Sequence, residues 1–113
     1  MTARRVVLVT LSGVFAAALL SPSPVAAEDA AKIFAKSCSP CHGKEGEPSA
    51  VFAKQGVRSF KDQAWQKATP DAQIEKSIRE GKKGTMMASF EKQFSAEEIK
   101  GLVAYVRKLG TAK

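Results

Sequence analysis

The stretch Cys38-Ser39-Pro40-Cys41-His42 decides how the rest of this 113-residue sequence is interpreted. Its two cysteines stand three positions apart and a histidine follows the second one directly, which is the attachment signature of c-type haem. Positions i, i+3 and i+4 of a helix lie on one face. Cys38 and Cys41 can therefore each reach a vinyl group of one haem while His42 offers a ring nitrogen to the iron. The motif predicts one covalently attached haem c with His42 as an iron ligand.

Three other kinds of site also use paired cysteines: a local disulfide, half of a zinc site and a thioredoxin-type redox pair. The sequence holds no further cysteine and no further histidine that could complete a zinc site. A thioredoxin-like domain needs strands, and no segment alternates with period two for long enough to predict one. The motif therefore favours the haem over these alternatives.

Residues 1–27 match a secretory signal peptide. Two arginines form a basic n-region, the stretch from Val6 to Leu20 is apolar and uncharged, and small residues predict cleavage after Ala27. The apolar stretch is shorter than the ~20 residues of a membrane-spanning helix, so an uncleaved anchor is the weaker interpretation. We expect export to the periplasm and one mature domain over 28–113.

The predicted mature domain has 86 residues, with 16 basic against 11 acidic side chains, a charge of +5. A domain of this size has a thin hydrophobic core, and a covalently held haem would supply apolar interior. The basic excess favours acidic partners. Because no block of lysine and arginine is interleaved with aromatic residues, we do not expect nucleic acid as a partner.

The first predicted helix runs from about Asp29 to Cys38 and leads into the haem motif, because apolar residues recur there at helical spacing. Pro40 disfavours helical geometry at Ser39, so we expect the helix to loosen at that residue. A glycine-rich loop over 43–57 should follow, with one short turn near 51–54.

Three further helices complete an all-α prediction. A short helix is expected over 60–68, and the next helix should have Thr69 as its N-cap and end at Gly81. The last helix should open with a capping box from Ser95 to Glu98 and stop at Gly110. The residues expected to face inward are Phe60, Ala64, Trp65, Ala68, Ile74, Ile78, Ile99, Leu102, Val103 and Val106.

In the order of these features the mature sequence resembles the small class I cytochromes c, and the resemblance covers nearly all of it. A helix runs into Cys-x-x-Cys-His, a later loop holds methionine, and the C-terminal helix contains Leu102-Val103-Ala104-Tyr105. The resemblance implies three to five helices around one haem, with the first and last helices crossing. Phe34, Leu102 and Tyr105 would pack at that crossing. Gly101 would permit the first and last helices to approach each other closely there.

The resemblance also implies a methionine as the sixth iron ligand, opposite the histidine. The sequence leaves Met86, Met87, a lysine or an open site. In the family the motif is commonly Met-Pro-x-Phe with another apolar residue four positions on. Met87-Ala88-Ser89-Phe90 and the next phenylalanine match that register, which favours Met87 over the alternative Met86. Since Ala88 stands where proline is usual, this loop is expected to be less rigid than in the family.

Trp65 is the only tryptophan, and by the same resemblance it would donate a hydrogen bond to a haem propionate, with simple core packing as the alternative. Lysines beside both ligand segments would steer the docking of partners. These lysines are Lys36, Lys44, Lys82, Lys83 and Lys92.

The function that the resemblance implies is that of a periplasmic monohaem electron carrier and not an enzyme. Such a carrier would be monomeric, would meet acidic redox proteins transiently, and would reach a membrane only through a membrane-bound partner. A haem protein with weak or absent methionine ligation, acting as a peroxidase or binding a gas, is the alternative. Without a second histidine as general base, efficient peroxidase chemistry is disfavoured. A non-haem thiol protein is the third hypothesis.

Overall fold

The computed structural model describes residues 13–14, 16–17 and 26–112, so nearly all of the predicted leader lies outside the described residues. Within these ranges the chain is all-α, as predicted, and no described residue belongs to a strand. Nor does any helix in this part of the chain combine the length and the apolar character needed to cross a bilayer. The successive segments are α1 (Ala27–Ile33), a π-helical segment (Phe34–Cys38), α2 (Ser39–His42), α3 (Ala50–Lys54), α4 (Gln63–Ala68), α5 (Asp71–Glu80) and α6 (Ala96–Thr111).

The first three segments form one continuous helix, which gives five helices among the described residues and differs locally from the prediction. Ser39 has helical backbone angles, φ −61° and ψ −28°, so the predicted loosening at this residue is wrong. The helix widens one turn earlier, over Phe34–Cys38, where the backbone N–H of Ser39 donates to the carbonyl of Phe34. Pro40 stands at the start of α2, directly after the widened segment, where the regular helical hydrogen-bond pattern is interrupted.

The first and last helices pack against each other, which confirms the predicted crossing. Phe34 and Leu102 are the most deeply buried large side chains of the core. The ring of Phe34 lies 5.1 Å from that of Tyr105, tilted by 52°. Gly101 lines the shallow groove at this crossing together with Ala27. Burying these apolar surfaces stabilises a domain whose core is small.

The helix α4 begins at Gln63 and not at Phe60, because Asp62 is its N-cap. The carboxylate of Asp62 accepts the backbone N–H groups of Ala64 and Trp65, and these bonds lower the pKa of that carboxyl. The start at Gln63 determines which side of this short helix faces the core. Trp65 consequently packs on the core while Ala64 and Ala68 are exposed, so the inward direction predicted for the two alanines is wrong.

The predicted role of Thr69 as the N-cap of α5 is wrong, because Thr69 is the C-cap of α4. Its backbone N–H donates to the carbonyl of Trp65 at 3.0 Å, and the N-cap of α5 is Pro70. The predicted burial of Ile74 and Ile78 and the end of α5 at Gly81 are confirmed.

The helix α6 starts as predicted, with the hydroxyl of Ser95 accepting the N–H of Glu98 at 3.1 Å. Its buried stripe contains the four predicted residues and continues to Leu109. Gly110 does not end the helix, which runs on to Thr111. The glycine instead allows a close approach, because a Cβ at this position would meet the side chain of Gln66.

Candidate functional site

One cavity of about 610 Å³ brings together the residues that the sequence singled out. Its apolar walls come from the buried faces of α5 and α6, and polar groups reach it from Arg58, Gln73 and Ser77. Cofactor pockets commonly have volumes of ~300–1,000 Å³ with mostly apolar walls and a few polar groups. The cavity therefore fits a flat apolar macrocycle with a charged edge. The predicted site residues that line it are Cys38, Cys41, His42, Trp65, Met86 and Met87.

The side of the cavity that carries Cys38, Cys41 and His42 is here called the attachment side. It consists of one turn of helix, after which the chain changes direction abruptly. Cys38 ends the π-helical segment, and Cys41 and His42 lie in α2. The next residue, Gly43, has φ +78°, and a Cβ there would collide with the carbonyl oxygen of Glu47. Only glycine suits this backbone, so the chain can turn away immediately after His42 without displacing the two cysteines.

Burial keeps the attachment side uncharged. It raises the pKa of the Cys38 thiol to about 11, with a smaller contribution from the neighbouring Cys41. Burial also lowers the pKa of His42, which favours the neutral imidazole that binds metal ions. In the described part of the chain no three His, Cys, Asp or Glu residues cluster as a metal site. Two thiols and one imidazole on a large, mostly apolar cavity thus fit a haem better than a zinc site.

The side chain of His42 has an unusual environment. Its ring is stacked on that of Phe60, with centroids 4.7 Å apart and planes 18° apart. Its Nδ1 atom is buried and has no hydrogen-bond partner among the described residues. Sequence reasoning placed Phe60 in the core only, and nothing in the local sequence signals its contact with His42.

The methionine loop, residues 81–90, closes on itself through backbone hydrogen bonds. The N–H of Lys82 donates to the carbonyl of Met87 at 3.0 Å. At the tip, the hydroxyl of Thr85 donates to the carbonyl of Lys82 at 2.7 Å and accepts the N–H of Met87 at 3.2 Å. These bonds fix the backbone position from which the Met87 side chain leaves the loop.

A second set of bonds ties the methionine loop to the end of α5. The hydroxyl of Ser89 donates to the carbonyl of Arg79 at 2.6 Å, and the N–H of Phe90 donates to the carbonyl of Ile78 at 3.0 Å. At Gly81 the φ angle is +72°, and a Cβ would meet the backbone from Met87 to Ser89. Hydrogen bonds and close packing thus hold the turn in which the family commonly has proline.

The two methionines differ in their surroundings. Met86 is 71% exposed, whereas Met87 is half-buried and packs against the core, as Phe90 and Phe94 also do. The two phenylalanine rings stack on each other at 5.3 Å. Both methionine side chains line the cavity, so the choice of Met87 over Met86 stays a prediction.

Trp65 and two basic residues also line the cavity. Trp65 lines the cavity and its ring lies 5.2 Å from that of Phe60. Of the five lysines predicted to steer partners, Lys82 lines the cavity and the others are exposed. Arg58 also lines the cavity, bonded to Asp62 at 3.0 Å, and sequence reasoning had not singled it out among many basic residues.

The chain is similar to several known proteins. The family described as "Cytochrome C oxidase, cbb3-type, subunit III" matches residues 25–106. The "Cbb3-type cytochrome c oxidase subunit FixP" of Bradyrhizobium diazoefficiens is 30% identical over 82 residues, which is 73% of this chain and 27% of that protein. The FixP subunit of Azorhizobium caulinodans is 34% identical over 85 residues, 75% of this chain and 28% of that protein.

Among solved structures, the "KustC0563 c-type cytochrome" is 36% identical, with a TM-score of 0.66 over 71% of this chain and 95% of that one. A mutant of the same cytochrome is 38% identical, with a TM-score of 0.65 over 72% of this chain and 98% of that one. The chain therefore spans less than a third of the FixP subunits but nearly the whole of the solved cytochrome. The chain is a member of the cbb3-type cytochrome c oxidase subunit III family, and it is a small monohaem cytochrome c, an electron-transfer protein with covalently bound haem c.

Proposed function

We propose that this protein is a mobile single-electron carrier of the periplasm. Cys38 and Cys41 would hold the haem by thioether bonds, and His42 and Met87 would be the protein ligands of its iron. The observation that carries the proposal is that one cavity is lined by the only histidine and by a methionine from a separate, tethered loop. A haem with two protein ligands has no open position for a substrate, which favours electron transfer over catalysis.

When bound, the haem supplies an iron that accepts and releases one electron. The chain's own residues hold the haem and set its environment. A methionine ligand opposite histidine raises the reduction potential. The apolar walls around Ile74, Ile78 and Leu102 would exclude water from the bound haem. The indole N–H of Trp65 is proposed to donate to a propionate at the polar end of the cavity.

The visible spectrum and the mass of the purified protein test this proposal together. We expect the mass of the processed chain plus one haem, a six-coordinate low-spin spectrum and a one-electron redox titration. The ferrous protein should bind carbon monoxide only slowly, because Met87 must leave first. Haem that acid-acetone extracts would overturn covalent attachment. A high-spin spectrum with rapid carbon monoxide binding would overturn the carrier and favour the gas-binding or peroxidase alternative.

The proposed partners are acidic redox proteins that bind transiently to a monomeric carrier. Encounters of this kind bury less than ~1,200 Å² and owe their rate to charge steering. The lysines of the methionine loop, Lys82 and Lys83, are exposed beside the cavity. Because the matched relatives are subunits of cbb3-type oxidases, an oxidase of this type is the first electron acceptor to test.

The salt dependence of the transfer rate tests the basic surface. Between low salt and ~0.15 M, where the Debye length falls to ~8 Å, the second-order rate with the partner should fall steeply. Lys82→Glu with Lys83→Glu should slow the reaction without moving the potential. Lys108→Glu, an exposed site on the α1–α6 groove, is the matched control and should have little effect. A rate that rises with ionic strength would contradict an acidic partner.

A further inference from the structure

The aromatic ring of Phe60 covers one face of the imidazole of His42. The two centroids are 4.7 Å apart and the ring planes differ by 18°, so the rings are nearly parallel. Phe60 is only 8% exposed, and both residues line the haem cavity. A parallel contact of this kind restricts rotation of the imidazole about its Cβ–Cγ bond. Such a rotation tilts the imidazole plane and drives its edge into the face of the Phe60 ring.

Phe60 is itself held from several sides. Its backbone N–H donates to the carbonyl of Gly46 at 2.8 Å, and its carbonyl accepts a hydrogen bond from the side-chain amide of Gln66 at 2.7 Å. The ring also packs against Trp65 at 5.2 Å. Because these contacts hold both the backbone and the ring of Phe60, the ring resists displacement when the imidazole of His42 moves against it.

The usual device for orienting a metal-binding histidine is missing among the described residues. Such a histidine almost always donates its second ring N–H to a carbonyl or a carboxylate, and this bond fixes the ring and makes it a stronger electron donor. Here Nδ1 of His42 is buried without a hydrogen-bond partner. Ring stacking is therefore the contact that can set the plane of the imidazole.

We propose that Phe60 is the positioning residue of the axial histidine and fixes the plane in which the imidazole stands over the haem. The inference rests on the proposed role of His42 as iron ligand. The plane of an axial imidazole selects which iron orbital carries the unpaired electron of the ferric state. It thereby contributes to how spin density is distributed among the four haem methyl groups.

Proton NMR of the haem-loaded protein measures that distribution directly. Replacement of Phe60 by Leu removes the flat wall while keeping the site apolar. In the ferric F60L protein we expect a changed order or a narrowed spread of the four haem-methyl shifts, because the imidazole reorients or averages. Phe60→Tyr keeps the ring and should preserve the wild-type order.

Ile99→Val is the control for a loss of core packing alone. Ile99 is 3% exposed and belongs to the same hydrophobic core, but it does not line the haem cavity. The I99V protein should be less stable but should keep the haem-methyl order. An unchanged order in F60L, or the same change in I99V, would overturn the positioning role.

The wild-type protein provides a test that needs no variant to fold. In the diamagnetic ferrous state, nuclear Overhauser contacts between the ring protons of His42 and Phe60 are expected, and their absence would overturn the inference. The two proposals fail separately. If the wild-type protein has no histidine-ligated low-spin haem, the proposed function fails; if it has one and Phe60 does not touch His42, only the positioning role fails.

Discussion

Buried side chains hold the attachment side of the haem cavity, whereas hydrogen bonds from backbone groups and hydroxyls hold the methionine loop. On the attachment side, Phe34 packs under α6 and the helix continues without a break into the haem motif. The methionine loop buries little of itself, with Met86 largely exposed, and depends on bonds to α5 and within its own turn.

This difference predicts two kinds of failure. Loss of packing on the attachment side should lower the stability of the whole domain, since α1 and α6 share one core with α5. Loss of a hydrogen bond in the methionine loop should open the loop while the rest of the fold stays intact, because local opening costs less than global unfolding. Four predictions test this difference.

The largest expected effect follows from Cys38→Ser or Cys41→Ser. Each change removes one thioether bond and one thiol from the cavity wall. We expect almost no coloured protein to accumulate, measured as the haem absorbance per milligram of purified chain. Normal yields of haem-loaded protein from either variant would contradict covalent attachment at that cysteine.

Met87→Ala should remove the sixth ligand and leave the attachment side intact. The expected result is a change from low spin to high spin, or to lysine ligation, with a lower reduction potential. Met86→Ala is the matched control, because the exposed neighbour should leave spectrum and potential nearly unchanged. The opposite pair of results would make Met86 the ligand. No spectral change in either variant would indicate an open or lysine-ligated site.

Phe34→Ala should break the packing on the attachment side. Truncating a fully buried phenylalanine typically costs ~3–5 kcal/mol of unfolding free energy, which is a large share of the stability of a small domain. Denaturant unfolding of the haem-loaded protein measures this cost. Val51→Ala, at a site 63% exposed, should change the stability by less than ~0.5 kcal/mol. Equal costs at the two sites would show that Phe34 does not anchor the core.

Local chemistry made the attachment side predictable from sequence. The spacing of Cys38, Cys41 and His42 fixes their common face, and the structure places all three on one cavity. The helix α6 was predictable for the same reason, since its capping box and apolar stripe lie within one segment. The widened turn at Phe34–Cys38 was not, because a π-helical segment has no distinct residue pattern.

Contacts between different segments of the chain account for the features that the sequence did not predict. Gly110 has the pattern of a helix stop, but the glycine accommodates Gln66 from α4. The stacking of Phe60 on His42 depends on the path of the loop that joins them, which propensity does not determine. In the methionine loop the sequence register indicated Met87. The hydrogen bonds that hold this loop without a proline involve Arg79 and Ile78 of α5, and the loop's own sequence does not reveal them.

A pair of serines gives the smallest effect and the most direct comparison of the two sides. The hydroxyl of Ser39 donates to the carbonyl of Ala35 at 2.6 Å, and that of Ser89 donates to the carbonyl of Arg79 at the same distance. The first bond lies within one helix on the attachment side, where such bonds contribute little. The second joins the methionine loop to α5.

Replacing each serine by alanine should therefore affect the haem differently. Ser89→Ala removes about 1 kcal/mol that favours the closed loop, so Met87 should leave the iron about fivefold more often. Carbon monoxide binding to the ferrous protein measures this, since the gas can bind only after the methionine has left. Ser39→Ala should leave the binding rate unchanged. Equal rates in the two variants would mean that packing of Met87 against the core, and not the bond to α5, keeps the methionine loop closed.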